Sequence, residues 1–331
     1  MIEEVLVTLR ANPKIDPVLS TWSWEVPLYL FLGGLAAGIM FFAAIMVLAN
    51  RQREAPFVTE KLVLWTVILL SVGMAALFLD LSHRWYVFRF YTAFRPSSPM
   101  SWGSWILIII YPICLLQILS TFRQGYPNLA RRLERFDIGA LALDLSERFR
   151  RRIAWISIPF ALALGIYTGL LLNTLVARPF WNTAILPVLF LVSALSTAAA
   201  LTILGTSIKG ERNLFTQIDF SLIAVEIFLV LLLVIDLSTG SQVQLAALDL
   251  ILGGRYTVGF WLLFFSIGLL IPILLEGREL LRKSTSAFYL APLFVLIGGY
   301  LLRQVVMNIG LHSSWVDYAN QFDPQLLQLL Q

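Results

Sequence analysis

Long apolar stretches, each wide enough to cross a lipid bilayer, alternate with short polar segments along almost the whole chain. A helix needs about 20 residues to span the hydrocarbon core, and runs of that length fall at roughly 26–49, 60–82, 102–122, 153–173, 184–208, 216–237, 257–275 and 286–307. The pattern predicts an all-α integral membrane protein with about eight transmembrane helices. Pro112, Pro159, Pro187, Pro272 and Pro292 fall inside these runs. Each would break a soluble helix, but within a bundle neighbouring helices and hydroxyl side chains satisfy the freed carbonyls.

The halves of the chain resemble each other. The first helix opens with Pro27 and carries small residues through Gly38; the fifth opens with Pro187 and carries them through Ala198. Helix two ends Leu79-Asp80-Leu81-Ser82, and helix six ends Ile235-Asp236-Leu237-Ser238. Gly103 and Trp105 open helix three as Gly259 and Trp261 open helix seven. Pro159, Gly165 and Tyr167 in helix four recur as Pro292, Gly298 and Tyr300 in helix eight. Matched helices run in the same direction, so the expected arrangement is two four-helix bundles related as parallel repeats. The boundaries are an N-terminal segment 1–25, a first bundle 26–173, a second bundle 184–307 and a C-terminal tail 308–331.

Composition excludes much else. The chain of 331 residues is 59% hydrophobic and only 13% charged, about half the charged fraction of a soluble domain, typically about 25%. A net charge of +4 comes without a basic face or stacking platform, so no nucleic-acid partner is expected. One cysteine, Cys114, excludes an internal disulfide and a cysteine-ligated cluster. Two histidines, His83 and His312, are too few for a di-haem cytochrome. No metal, haem or iron–sulfur cluster is therefore expected in this chain. The N-terminus lacks a basic segment followed by a short apolar core, so no cleaved signal peptide is expected.

Lysine and arginine set the orientation. The segments after helices one, three, five and seven hold 16 of the 24, and the positive-inside rule places that side in the cytoplasm. Both termini then face the periplasm of a bacterial inner membrane. The cytoplasmic loop 123–152 reads as amphipathic helix lying on the membrane surface.

Ionisable groups within a bilayer are costly and mark candidate sites. Glu25 and Tyr29 start helix one, Asp80 ends helix two with His83 just beyond, and Tyr167 lies two-thirds along helix four. A carboxylate, an imidazole and phenols at one depth suit the oxygen ends of a quinone, menaquinone or ubiquinone, and the handling of its protons. Asp219, Glu226 and Asp236 on helix six, with Arg303 on helix eight, are candidates for a proton path; as an alternative, Arg303 pairs with Asp236.

These motifs occur as WEVPLYLFLGGLAAG from Trp24, LDLSHRW from Leu79, RPSSPMSWGSW from Arg95, GIYTGLLL from Gly165 and GGYLLRQVV from Gly298. In that order they resemble the membrane subunits of polysulfide reductase and formate-dependent nitrite reductase, the NrfD family. The resemblance implies a quinone-reactive membrane anchor. It implies a periplasm-facing iron–sulfur partner subunit, joined to a molybdopterin catalytic subunit or a multihaem cytochrome. Tyr167 matches the helix-four tyrosine of the family's quinone site. Tyr29 stands where polysulfide reductase has a histidine and Val26 where it has an asparagine, so Glu25, or Asp80 with His83, is expected to take over the lost polar role. Arg84, Arg89, Arg95, Ser97, Ser98 and Trp102 form the expected docking surface for the partner. A polytopic transporter, or an anchor without quinone, are the alternatives.

Overall fold

The computed structural model describes residues 22–81, 83–282 and 289–313. The segment 1–21 and the tail beyond 313, on which the placement of the termini rests, lie outside the described residues. Twelve α-helices and no strand occur among the described residues. Among the described residues, eight helices are long and apolar enough to cross a membrane: α1 (Glu25–Leu48), α2 (Phe57–Asp80), α3 (Pro99–Gly125), α4 (Arg150–Asn173), α5 (Ile185–Gly205), α6 (Lys209–Thr239), α7 (Val258–Leu281) and α8 (Leu290–His312).

Helices α6 and α7 run furthest past the apolar stretches that announce them. Helix α6 starts at Lys209, seven residues before its apolar run, and α7 continues through Leu281 rather than stopping near 275. Hydropathy registers only the part of a helix that sits in lipid. The backbone stays helical past it, through Gly210 in α6 and Gly277 in α7. The wide turns of α7 from Val258 to Leu270 are π-helical, and Ser266 Oγ donates to the Trp261 carbonyl five residues back, at 2.8 Å.

The centre of the bundle is α1 and α5. Their most apolar windows are 83% and 67% buried, against 28% for both α6 and α7. Helix α1 packs against α2, α4, α5 and α8, while α5 packs against α1, α4, α6 and α8. Helices α3 and α7 sit outside, against α4 and α8 respectively. The two central helices meet at small residues: a methyl on Gly38 would collide with the Ala194 carbonyl and lie 2.6 Å from the Ala198 methyl. Without a hydrophobic drive between helices in lipid, such close backbone approach supplies the packing energy.

At one end of the bundle, the segment between α3 and α4 folds as two short helices, Pro127–Leu133 and Asp137–Arg148. Arg123 binds it to α3 through Glu134 at 2.7 Å, Asp144 at 2.7 Å and Glu147 at 2.9 Å. Arg150 donates to the Ser120 carbonyl and to Gln52. The second short helix buries Leu143 and exposes Ile138, Leu141 and Leu145. At the opposite end, the α2–α3 connection carries a 3₁₀ turn (Arg84–Tyr86) and a short helix (Phe88–Thr92).

Candidate functional site

A cavity of about 560 Å³ lies between α1, α2, α3 and α4, at the end away from the Arg123 loop. Helix α1 contributes Val26, Tyr29 and Leu30; α2 contributes Met74, Phe78 and Asp80; α3 contributes Met100, Gly103 and Ser104; and α4 contributes Tyr167 and Leu171. The α2–α3 connection closes it with Val87, Phe90 and Tyr91. The lining is mostly apolar, with three phenols and one carboxyl as its strongest polar groups, which is the usual make-up of a small-molecule site.

Two of the phenols are packed against glycines of neighbouring helices. Tyr29 is buried, and its ring lies within van der Waals range of a methyl built on Gly73 of α2. Tyr167 is buried with its ring and hydroxyl packed on the Gly103 backbone. The two phenols are within electrostatic reach of one another. Tyr91 lies outside the membrane-spanning segments; burial, followed by the neighbouring Tyr111, raises its pKa. Its hydroxyl thus stays a hydrogen-bond donor across the physiological range. Asp80 is half-buried at the end of α2. Arg84 is not its partner: Nη2 donates to the Leu79 carbonyl at 2.8 Å.

Of the residues singled out in the sequence, Tyr29, Asp80 and Tyr167 converge on this cavity, and Val26 lines it too. Glu25 and His83 do not line it. Glu25 lies within electrostatic reach of Asp80, and its Oε2 is buried without a hydrogen-bond partner among the described residues. His83 is exposed, its ring 6.4 Å from that of Tyr86. Ser82 lies outside the described residues.

The expected docking residues lie on the outer side of the same connection and, for Trp102, in the first turn of α3. Arg84, Arg89, Arg95, Ser97 and Trp102 are exposed and Ser98 half-buried. Arg89 sits 4.7 Å over the Tyr86 ring, and Trp102 Nε1 donates to the Pro96 carbonyl at 2.6 Å. Trp85 is 92% exposed, with Phe88 and Phe94 exposed nearby.

A second polar cluster lies in the other half. Arg303 is fully buried and donates to the carbonyls of Leu30 (3.3 Å), Phe190 (3.2 Å) and Gly299 (2.6 Å) and to Ser193 Oγ (3.1 Å). Its carboxylate neighbour is Glu226, which is also bonded to Ser193. Asp236, half-buried at the far end of α6, is not among its partners. Asp219 is buried and accepts a 2.6 Å bond from Ser196. Beside it lies Glu276 of α7, buried and within hydrogen-bond reach. Glu276 escapes sequence reading because the apolar run stops one residue before it and a polar stretch, Glu276-Gly277-Arg278-Glu279, follows.

The polysulphide reductase NrfD family model matches residues 14–313, nearly the full length of the chain. The chain belongs to the NrfD family. It is 29% identical to a named chain of the polysulfide reductase of Wolinella succinogenes over 305 residues, covering 87% of this chain and 94% of that one. It is 28% identical to protein NrfD of Escherichia coli over 303 residues, again covering 87% and 94%. With a named subunit of the tetrathionate reductase of Salmonella typhimurium it shares 27% identity over 296 residues, 87% of this chain and 79% of the other. With eight candidate spans among the described residues, this NrfD-family protein is a multi-pass membrane protein.

Proposed function

We propose that the protein is the membrane anchor subunit of a respiratory reductase complex, and that it binds a quinone in the α1–α4 cavity and exchanges electrons with a partner iron–sulfur subunit. The observation that carries this reading is the convergence of Tyr29, Tyr167 and Asp80 on one largely apolar cavity. At about 560 Å³ the cavity falls within the usual range for small-molecule sites. Its apolar walls match a ring and prenyl tail, and its phenols and carboxyl match two oxygens. The relatives are named as individual subunits of reductases, which supports a multisubunit assembly; in this reading its catalytic partner is a molybdopterin subunit or a multihaem cytochrome.

A quinone, when bound, supplies a carrier of two electrons and two protons. The protein's own residues do the rest. Tyr29 and Tyr167 donate hydrogen bonds to an oxygen acceptor and fix its position. The Asp80 carboxylate, at the rim, takes up or delivers a proton between the cavity and the aqueous side. Phe78, Phe90 and Leu171 exclude water from the phenols. Glu25, beside Asp80, and His83 extend this exchange to the surface. The Arg84–Trp102 segment, which both roofs the cavity and exposes arginines and aromatics, docks an acidic partner and so keeps the electron-transfer distance short.

The loop end faces the cytoplasm and the cavity end the periplasm of a bacterial inner membrane, following the arginine distribution. Ile138, Leu141 and Leu145 then rest in the inner interface. The two halves are parallel repeats: the pairings α1–α2, α1–α4 and α3–α4 are echoed by α5–α6, α5–α8 and α7–α8. In this reading the first half holds the quinone, and the second half, with Asp219, Glu226, Asp236 and Arg303, handles protons.

The test is the complex purified with its partners and carrying Tyr167→Phe or Asp80→Asn. Quinone-coupled electron transfer falls about tenfold or more in each variant while the complex stays assembled. Full activity in both would defeat the assignment.

A further inference from the structure

The buried acids of the second half are not isolated. Arg212, Asp219 and Glu226 follow one another at seven-residue intervals on α6, which places them on one face, about 10 Å apart in successive pairs. Every step along that face has a neighbour. Arg212, at the loop end, has Glu279 of α7 within electrostatic reach. Glu279 lies one turn from Glu276, and Glu276 meets Asp219. Glu226 comes next, bonded to Ser193, which accepts from Arg303. Arg303 in turn donates to the carbonyl of Leu30, a residue of the cavity wall. The column therefore runs from the loop end of α6 and α7 to the back of the cavity.

Its middle contains an anomaly. Asp219 Oδ2 and both carboxyl oxygens of Glu276 are buried and receive no hydrogen bond from any N–H or hydroxyl among the described residues. The donor these residues supply to the pair is Ser196, on the other Asp219 oxygen. Other charged groups near the pair are Glu226 and Glu279, both acidic. The guanidinium groups at the two ends are engaged with Thr206 and Glu279 at one and with Ser193 and backbone carbonyls at the other. Two bare carboxylates in contact at zero and 1% exposure would repel strongly and waste their acceptors. One proton between them turns an acceptor–acceptor contact into a charge-assisted hydrogen bond.

We propose that Asp219 and Glu276 hold one proton between them and are the storage point of the buried polar column that ends at the cavity wall. This deepens the proton-handling part of the function proposed above and rests on it for direction. When the pair gives its proton toward Glu226, a second proton arrives at Glu276 past Glu279: one enters, one leaves, and no electron moves. The Ser193 hydroxyl, held by Arg303, links Glu226 to the last stretch.

Infrared spectra of the purified complex in H2O and in D2O at neutral pH read the C=O stretch of protonated carboxyls and need no quinone turnover. The wild-type complex shows a deuterium-sensitive band that is lost in Glu276→Gln and in Asp219→Asn. The amide in each variant still bonds the remaining carboxylate, so the fold is kept. Absence of the band in the wild type, or its survival in both variants, overturns the proposal. Loss in only one variant assigns the proton to a single acid and also overturns the sharing. In proteoliposomes, Glu276→Gln keeps uncoupled electron transfer within about twofold, while proton displacement per turnover falls about fivefold or more. Unchanged proton displacement overturns the placement of the pair in the column. Tyr167→Phe leaves the infrared band in place, so failure of the cavity reading is told apart from failure of this one.

Discussion

The Tyr167 ring rests on the backbone of Gly103: a methyl group at that glycine would overlap the ring's Cζ and its hydroxyl. Helix α3 thus sets the position of the phenol that α4 supplies, and both line the cavity. The glycine serves close approach, because the backbone must come this near for the hydroxyl to face the cavity.

Gly103→Ala therefore displaces Tyr167. Overpacking of this kind costs about 1–3 kcal/mol. Quinone-coupled electron transfer falls at least as far as in Tyr167→Phe, while Tyr167→Phe leaves thermal unfolding of the subunit unchanged. The double variant is no slower than Gly103→Ala alone, since both changes act through one hydroxyl. Steady-state rates together with thermal unfolding in detergent check this. Additive losses in the double variant would show that Gly103 acts some other way.

Two glycines on α1 separate packing from propensity. A methyl at Gly38 meets the Ala194 backbone, whereas a methyl at Gly33 finds nothing within 4 Å. Gly38→Ala accordingly lowers the stability of the bundle by about 1–3 kcal/mol, and Gly33→Ala is neutral or gains up to about 1 kcal/mol from helix propensity. Unfolding of the two variants in mixed micelles measures the difference; equal effects would remove the α1–α5 contact from the account.

Arg303 holds α8 to both central helices, through Leu30 on α1 and through Phe190 and Ser193 on α5. Arg303→Met leaves the Glu226 carboxylate buried without its cation, and removing one partner of a buried pair costs about 3–5 kcal/mol. Adding Glu226→Gln restores part of the loss because the amide carries no charge. Comparing the unfolding of single and double variants tests the coupling, and an unrescued double variant would place the cost in the lost carbonyl bonds alone.

Much of this arrangement is legible in the sequence because lipid imposes strong rules. Apolar length marks the eight helices, and a carboxyl, phenol or guanidinium in such a run is conspicuous, which is how Tyr29, Asp80, Tyr167, Glu226 and Arg303 stand out. Lateral placement is harder to read. Glu25 and His83 share the depth of the cavity yet do not line it, since depth follows from position along a helix whereas facing depends on the rotation of each helix against its neighbours. Glu276 is hidden for another reason: hydropathy drops as α7 reaches it, although the helix continues and its inner face remains packed. Gly103 reads as a repeat marker until the ring of Tyr167 is seen against it.

The α2–α3 connection joins a cavity-lining face to an exposed one, and that dual role makes its outer side testable. Val87, Phe90 and Tyr91 line the cavity, while Trp85 is almost fully exposed and Arg89 is stacked on Tyr86. An exposed tryptophan beside arginines has the make-up of an interface hot spot, where truncation commonly costs about 2 kcal/mol or more. Trp85→Ala thus weakens retention of the partner subunit by about thirtyfold, and Arg89→Glu weakens it further at low salt than at high salt because its contribution is electrostatic. Neither residue lines the cavity, so quinone bound per membrane subunit stays the same. Co-purification across a salt series, with quinone quantified in each preparation, separates docking from binding. Loss of quinone in step with loss of the partner would instead make the connection a single cooperative lid.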